Sequence, residues 1–248
     1  MCTDILANLI ADAIFSIIII AAGWSIYLIA RRRKLLKFFG INSTKELIVY
    51  LSNIRVNRGG SIGIDGVARA YAGSTVSFGE AIQANLFPSL FSYLIPGLEG
   101  QPGFLKYLFV SDINVSIQTS PIHIPDIIMN SPLITFGSPG YNLVSDWFEN
   151  NLLPPITFVN DNTAIHLNDL PDDQNPLHSF IQKRYDQENG RMVFYVAGLS
   201  EIGTIGAAYY LFSQWKNLYK RYKADQPFSI LISVNPNNYK MHTVVLNR

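Results

Sequence analysis

The chain has 248 residues, of which 48% are apolar and 15% charged, with a net charge of +1 and a mean hydropathy of +0.17. Soluble domains carry about a quarter charged residues, so the deficit of charge is the informative number, and it excludes a disordered chain, which pairs low hydrophobicity with high net charge. A single cysteine excludes a disulfide framework and a cysteine-based metal cluster, and the near-zero charge gives no basis for a nucleic-acid partner, which calls for a basic excess.

The charge-poor character sits at the N-terminus. Residues 13–30 contain no charge and include the run Ile17, Ile18, Ile19 and Ile20. At about 1.5 Å per residue, roughly 20 apolar residues cross a bilayer core, so residues 1–30 read as a transmembrane anchor. Asp12 falls toward the outer interface, where water reaches it, and Trp24 and Tyr27 fall in the last turns, where interfacial aromatics belong. Arg31, Arg32, Arg33, Lys34 and Lys37 follow, whereas only Asp4 and Asp12 carry charge before them. The positive-inside rule then puts the N-terminus outside and the body in the cytoplasm. A cleaved signal peptide carries its positive charge ahead of the apolar run, so the reverse order here predicts an uncleaved anchor. Residues 31–46 read as a basic juxtamembrane helix, stopping near Gly40, and a polar linker. Membrane lipids are the expected partner of residues 5–37, with the basic cluster facing anionic headgroups. The alternative is a buried core helix, which rarely runs so long without a polar face.

Residues 47–248 form the cytoplasmic domain in this reading. The apolar, β-rich run 47–51 suits a strand covered on both faces. A glycine-rich loop follows, with Gly59, Gly60, Gly63, Gly66 and Gly73. Residues 77–94 predict a helix: Ser77 is a cap, Glu80 lies three residues on, and Ile82, Leu86, Leu90 and Leu94 recur at helical spacing. Pro88 should kink it and Pro96-Gly97 should end it. Residues 113–117 alternate as a strand, and 133–136 are a second buried strand, followed by a Gly-Ser-Pro-Gly turn and a helix over 142–150. Residues 156–159 and 164–167 flank Asp161-Asn162 as a hairpin. Residues 192–196 are a third buried strand, a long helix runs from about 198 to 222, and 228–233 and 243–246 close the chain as strands. Strands separated by helices predict a three-layer α/β domain with an antiparallel hairpin added at one edge.

Two strand–turn–helix junctions carry the functional expectation. One holds Gly137, Ser138, Gly140 and Asn142; the other holds Gly198, Ser200, Glu201, Gly203, Thr204 and Gly206. Glycine lets backbone approach a ligand, the first helical amides lack intrahelical partners, and such turns lie at the carboxyl ends of parallel strands, where ligands bind. The glycine spacing differs from G-x-G-x-x-G, and no lysine follows as in a Walker loop, so Gly206 with Ala207 and Ala208 has an equal explanation in close helix packing. Glu80 is the candidate catalytic carboxylate, able to bind ribose hydroxyls or serve glycosidic cleavage; its competing role, like that of Glu201, is at a helix start. His123, His166, His178 and His242 lack metal-ligand spacing, and Ser138 lacks the G-x-S-x-G frame of a nucleophile elbow.

The opening strand, the glycine-rich loop before Glu80 and the two glycine turns together resemble the Rossmann-like nucleotide and nucleoside domains of bacterial conflict systems, of the nucleoside deoxyribosyltransferase-like, TIR-like and SLOG-like kinds. The resemblance covers roughly residues 47–234. It implies a Rossmann-like, mainly parallel sheet, a nucleotide ligand, and Glu80 in the carboxylate role at an N-glycosidic bond; some relatives of that kind also carry N-terminal membrane helices.

Three functions follow as expectations. The first is a membrane-anchored cytoplasmic module that binds a nucleotide or related phosphorylated ligand through the amides at Gly137 to Asn142 and Gly198 to Thr204, as a sensor or effector in signalling or defence. The second is a nucleoside or NAD-type N-glycosidase or transferase using Glu80. The third is a structural membrane protein whose glycine turns only pack. No cofactor is specified, and homo-oligomerisation stays open.

Overall fold

The computed structural model describes residues 2–41, 46–53, 76–92, 113–121, 130–168 and 170–247, with side chains from residue 11 onward. The glycine-rich stretch from Gly59 to Gly73, Pro96-Gly97 and His123 lie outside the described residues.

The chain opens with a single helix, α1 (Cys2–Phe39). Residues Ala11–Phe39 are long and apolar enough to cross a membrane, and only 6% of their most apolar window is buried. Ile14, Ile17, Ile18, Ile20 and Ile26 are each more than half exposed. A soluble core helix would bury such side chains, at about 25 cal/mol per Å² gained; this one leaves them uncovered.

The end of α1 behaves otherwise. Residues 31–46 were read as a basic juxtamembrane helix and linker; Leu35, Phe38, Phe39 and Ile41 belong to the domain core. The Phe38 ring stands 5.3 Å from Phe194, 6.4 Å from Trp215 and 6.3 Å from Phe228, and the Phe39 ring 5.2 Å from Phe194 and 5.8 Å from Phe91. Leu35, Phe38 and Phe39 recur at helical spacing on the face of α1 turned to the sheet, while Arg33, Lys34 and Lys37 stay exposed. The basic segment is thus one face of a core helix as well as a charged cuff.

The body is α/β. β1 (Glu46–Leu51), β2 (Asn114–Thr119), β3 (Leu133–Phe136), β6 (His178–Asp186), β7 (Arg191–Gly198), β8 (Phe228–Asn235) and β9 (Asn238–Asn247) form one seven-stranded sheet in the order β2-β1-β3-β7-β6-β8-β9. The β2-β1-β3-β7 half is parallel and the β6-β8-β9 half antiparallel. Alternate residues of β1 enter two cores. Leu47, Val49 and Leu51 face α1, α2 (Phe78–Ala84), α3 (Leu86–Ser92) and α5 (Glu201–Tyr222). Ile48 and Tyr50 face α4 (Leu143–Leu152) and the hairpin β4 (Ile156–Val159) and β5 (Ala164–Leu167).

Three expectations need correction. The β4–β5 hairpin is not an edge of the main sheet; it is a separate two-stranded sheet lying on one face, held by Gln182, which donates to Ile156 O at 2.7 Å and accepts from Ile156 N at 3.2 Å. The antiparallel extension of the main sheet is β6-β8-β9, and β6 has no counterpart in the sequence reading. Its middle, Gln182 and Lys183, is polar yet fully buried, so no apolar alternation marks it. Lys183 extends to the C-terminal end of α5, donating to Lys223 O and Ala224 O, where a cation meets free carbonyls and the negative end of the helix dipole. Finally, the helix expected over 77–94 breaks at Asn85 rather than kinking at Pro88. Pro88 cannot donate to Ala84 O and its ring crowds that carbonyl, so α3 starts afresh with Pro88 in its first turn.

Candidate functional site at the carboxyl edge of the parallel strands

β3 and β7 are adjacent and parallel, with Phe136 opposite Val196, so the turns at Gly137 and Gly198 leave the same edge of the sheet. Gly137 N donates to Val196 O at 3.0 Å. β1 ends on this edge too, at Ser52 and Asn53, and α2 and α5 begin there.

Glu80 is the buried acid of the edge, 5% exposed. Ser77 caps α2 by accepting from Glu80 N at 3.2 Å, one half of a capping box. The Glu80 side chain does not return to Ser77. It reaches the end of β1, where Ser52 N donates to one carboxylate oxygen and Ser52 Oγ to the other, each at 2.9 Å. Burial raises the Glu80 carboxyl above its ordinary range; the two Ser52 bonds pull it down, and the charge of Glu201 pushes it up. Ser77 Oγ donates to Glu201 Oε1, so one serine joins the starts of α2 and α5. Glu201 itself is exposed.

Gly137 has φ +84°, and a Cβ there would lie 2.1 Å from Ser52 Oγ and 3.1 Å from Glu80 Oε1. A side chain at residue 137 would displace the Ser52–Glu80 pair. A second polar network closes the edge beneath the turn. Asn53 N donates to Tyr141 O at 2.7 Å, Asn53 Nδ2 to Ser120 O at 3.0 Å, and Leu143 N to Ser120 Oγ at 2.8 Å. Asn142 donates to Phe136 O at 2.7 Å and caps α4 through Val144 N and Ser145 N.

These bonds alter the reading of the glycine turns. The first three amides of α4, those of Leu143, Val144 and Ser145, all have side-chain acceptors within the chain. At the other turn Gly198 N donates to Thr204 Oγ1 at 3.1 Å, Leu199 N to His178 O at 3.2 Å, Gly203 N to Ser200 Oγ at 3.2 Å and Thr204 N to Ser200 O at 3.0 Å. These donors, part of the set expected to hold an anion, are thus engaged in the fold. Gly203 was expected to face a ligand; its missing side chain points instead toward His178 O and Gly198 Cα, 3.4 and 3.5 Å from a built Cβ. Gly198 faces Ser179 and the start of α5, Gly206 faces Val234, and Gly140 faces Asn162 of the β4–β5 turn, each closer than 3 Å to a built Cβ. Gly140, Gly198 and Gly206 are close-packing glycines, whereas Gly203 makes only ordinary contacts. Ser138 supplies the carbonyl that closes its turn, accepting from Tyr141 N and Asn142 N at 3.0 Å each.

The structure therefore gathers Glu80, Glu201, Gly137, Gly198 and Ser200 on one edge, with the Glu80 carboxylate bonded to Ser52 and the Glu201 carboxylate exposed. Ser52, Asn53 and Ser120 were absent from the sequence reading of the site, and Ser77 entered it only as a helix cap. The signal of the first three was polar residues placed directly after a buried strand, at 52–53 and 120. Among the described residues no group of His, Cys, Asp and Glu is arranged to hold a metal ion. Comparison of the chain with protein-family models, with curated proteins and with solved structures gives no match in any of the three.

Proposed function

We propose that this protein is a single-pass membrane protein, N-terminus outside, whose cytoplasmic domain is a Rossmann-like three-layer module binding a nucleoside-type ligand at the carboxyl edge of its parallel strands. The observation that supports it is the meeting of the starts of α2 and α5 at that edge, where Ser77 accepts from Glu80 N and donates to the exposed Glu201 carboxylate. The exposed Glu201 carboxylate favours a neutral ligand rich in hydroxyl donors, such as a ribose, over a bare phosphate, because it accepts hydrogen bonds and repels anions. The engaged amides of α4 point the same way. Membrane anchoring is supported by the exposed apolar length of α1, and the cytoplasmic side by the basic residues that follow it.

Cleavage of an N-glycosidic bond is the second reading. It is favoured by the upward shift of Glu80, since a carboxyl that keeps its proton can act as an acid toward a leaving base. The test is a thermal-shift series on the detergent-solubilised chain with adenosine, AMP and NAD, each reaction then run out by chromatography. Binding predicts a rise in Tm with adenosine that E201A abolishes, and unchanged ligands. Released base or nicotinamide, lost in E80Q, establishes the second reading. No shift and no turnover with any of the three contradicts both.

A further inference from the structure

A second concave feature lies at the opposite end of α5 from Glu201. It is a groove between α1 and α5 with a cavity of about 390 Å³. Its walls are apolar and aromatic: Tyr27 and Ala30 from α1, Trp215 and Tyr219 from α5. Its rim is cationic, with Arg31 and Lys34 from α1 and Lys216, Lys220 and Lys223 from α5, and no acidic residue lines it among the described residues. An adjoining groove of about 370 Å³ shares Ala30, Lys34 and Tyr219 and adds Arg33 and Lys37. Cations of one sign around a cavity with low-dielectric walls focus an attractive field on an anion.

The groove opens where the apolar part of α1 ends. Ile26, Tyr27 and Ile29 are exposed immediately before Ala30, on the side toward the span. We propose that the groove binds the headgroup of an anionic phospholipid, its phosphate among the five cations and its acyl chains along the exposed apolar surface of α1. This rests on the reading of α1 as a membrane span. A free phosphate would use the cations but not the Tyr27–Ala30 wall, which continues into the hydrocarbon-facing surface; a lipid uses both. Three of the five cations come from the domain, so the site exists only because Phe38 and Phe39 dock α1 on the sheet. One consequence is orientation. α5 spans 22 residues, about 33 Å at 1.5 Å per residue, which sets the Glu80–Glu201 edge away from the bilayer and open to the solvent.

The test is native mass spectrometry of the full chain in detergent, titrated with dioleoyl-phosphatidylglycerol or dioleoyl-phosphatidylcholine, on the wild type and on K216Q/K220Q/K223Q. These lysines are exposed, so the variant should keep the wild-type Tm, and K216R/K220R/K223R controls for charge. The proposal predicts at least tenfold preference for phosphatidylglycerol, lost in the glutamine variant, kept in the arginine variant, and not competed by glycerol 1-phosphate. Equal affinity for the two lipids, an unchanged preference in the glutamine variant, or competition by glycerol 1-phosphate at comparable concentration overturns it, the last outcome indicating a free-phosphate site. Alkaline carbonate extraction of membranes tests the span separately: release of the wild-type chain removes the anchor reading, whatever the lipid titration gives.

Discussion

Ser52 binds both carboxylate oxygens of Glu80, one through its backbone N–H and one through its hydroxyl, each at 2.9 Å. The bonds join the end of β1 to the first turn of α2. Glu80→Ala leaves the buried Ser52 N–H without its acceptor and opens a void, so a loss of about 2–3 kcal/mol is expected. Glu80→Gln still offers an oxygen to the N–H, and Ser52 Oγ can turn to Phe136 O, already 3.3 Å away, so the loss should stay under about 1 kcal/mol. Thermal unfolding of the two variants in detergent, followed by near-UV circular dichroism, measures the difference. Equal losses would mean that the pair does not carry the joint.

Gly137 and Gly203 are expected to separate sharply. Alanine at 137 meets Ser52 Oγ at 2.1 Å in a backbone conformation that L-residues avoid, which costs at least about 2 kcal/mol. Alanine at 203 places Cβ no closer than 3.4 Å to any neighbour and sits within a helix, where it is favoured over glycine, so stability should change by less than about 1 kcal/mol. Unfolding midpoints of Gly137→Ala and Gly203→Ala check this; a severe loss at 203 would contradict the packing described.

Glu149 gives a pH dependence. It accepts from Tyr195 Oη at 2.9 Å and from Phe158 N at 3.1 Å, and burial pushes it up to about 7 from 4.5. Between these values the folded chain holds a proton that the unfolded chain has released. The stabilising contribution is therefore complete below about pH 4.5 and lost as pH rises through about 7, flat beyond. Glu149→Gln should remove this component while keeping both bonds through its oxygen. Unfolding free energies measured from pH 4.5 to 8 on both chains test it; parallel profiles would show that Glu149 titrates near its ordinary value.

The docking of α1 predicts a truncation boundary. A chain beginning at residue 28 keeps Leu28, Leu35, Phe38 and Phe39 and should fold; a chain beginning at residue 42 loses the aromatic contacts with Phe194 and Phe228 and should not. Phe38→Ala should cost about 3–5 kcal/mol. Circular dichroism and protease resistance of the three chains read the outcome. A folded chain from residue 42 would restore the linker reading of 31–46.

Much of this architecture was legible because local rules and tertiary packing agreed. Strands 133–136, 156–159 and 164–167 and the caps Ser77, Asn142 and Ser200 fall where apolar runs and side-chain acceptors point. The miss at β6 has a physical cause: Gln182 and Lys183 are buried because they bond Ile156 and the end of α5, partners remote in sequence. A local signal did exist in Asn189-Gly190, a hairpin dipeptide whose Gly190 takes φ +64° between β6 and β7. The role of Phe38 and Phe39 was hidden by the basic residues around them, which dominate a reading by composition. At the site, Glu80 and both glycine turns were visible as candidates. Who occupies the turn amides was not, since Ser120 and His178 approach them from distant strands.

The central claim is that the Glu80–Glu201 edge recognises sugar hydroxyls, and calorimetric titration of the full chain with adenosine and with 2′,3′-dideoxyadenosine tests it most directly. The two ligands differ only in the hydroxyls that would donate to the Glu201 carboxylate. The account predicts that adenosine binds at least tenfold more tightly, a difference of about 1.4 kcal/mol, and that Glu201→Ala erases the difference. Equal affinities in the wild type, or a preference that survives in Glu201→Ala, would contradict it.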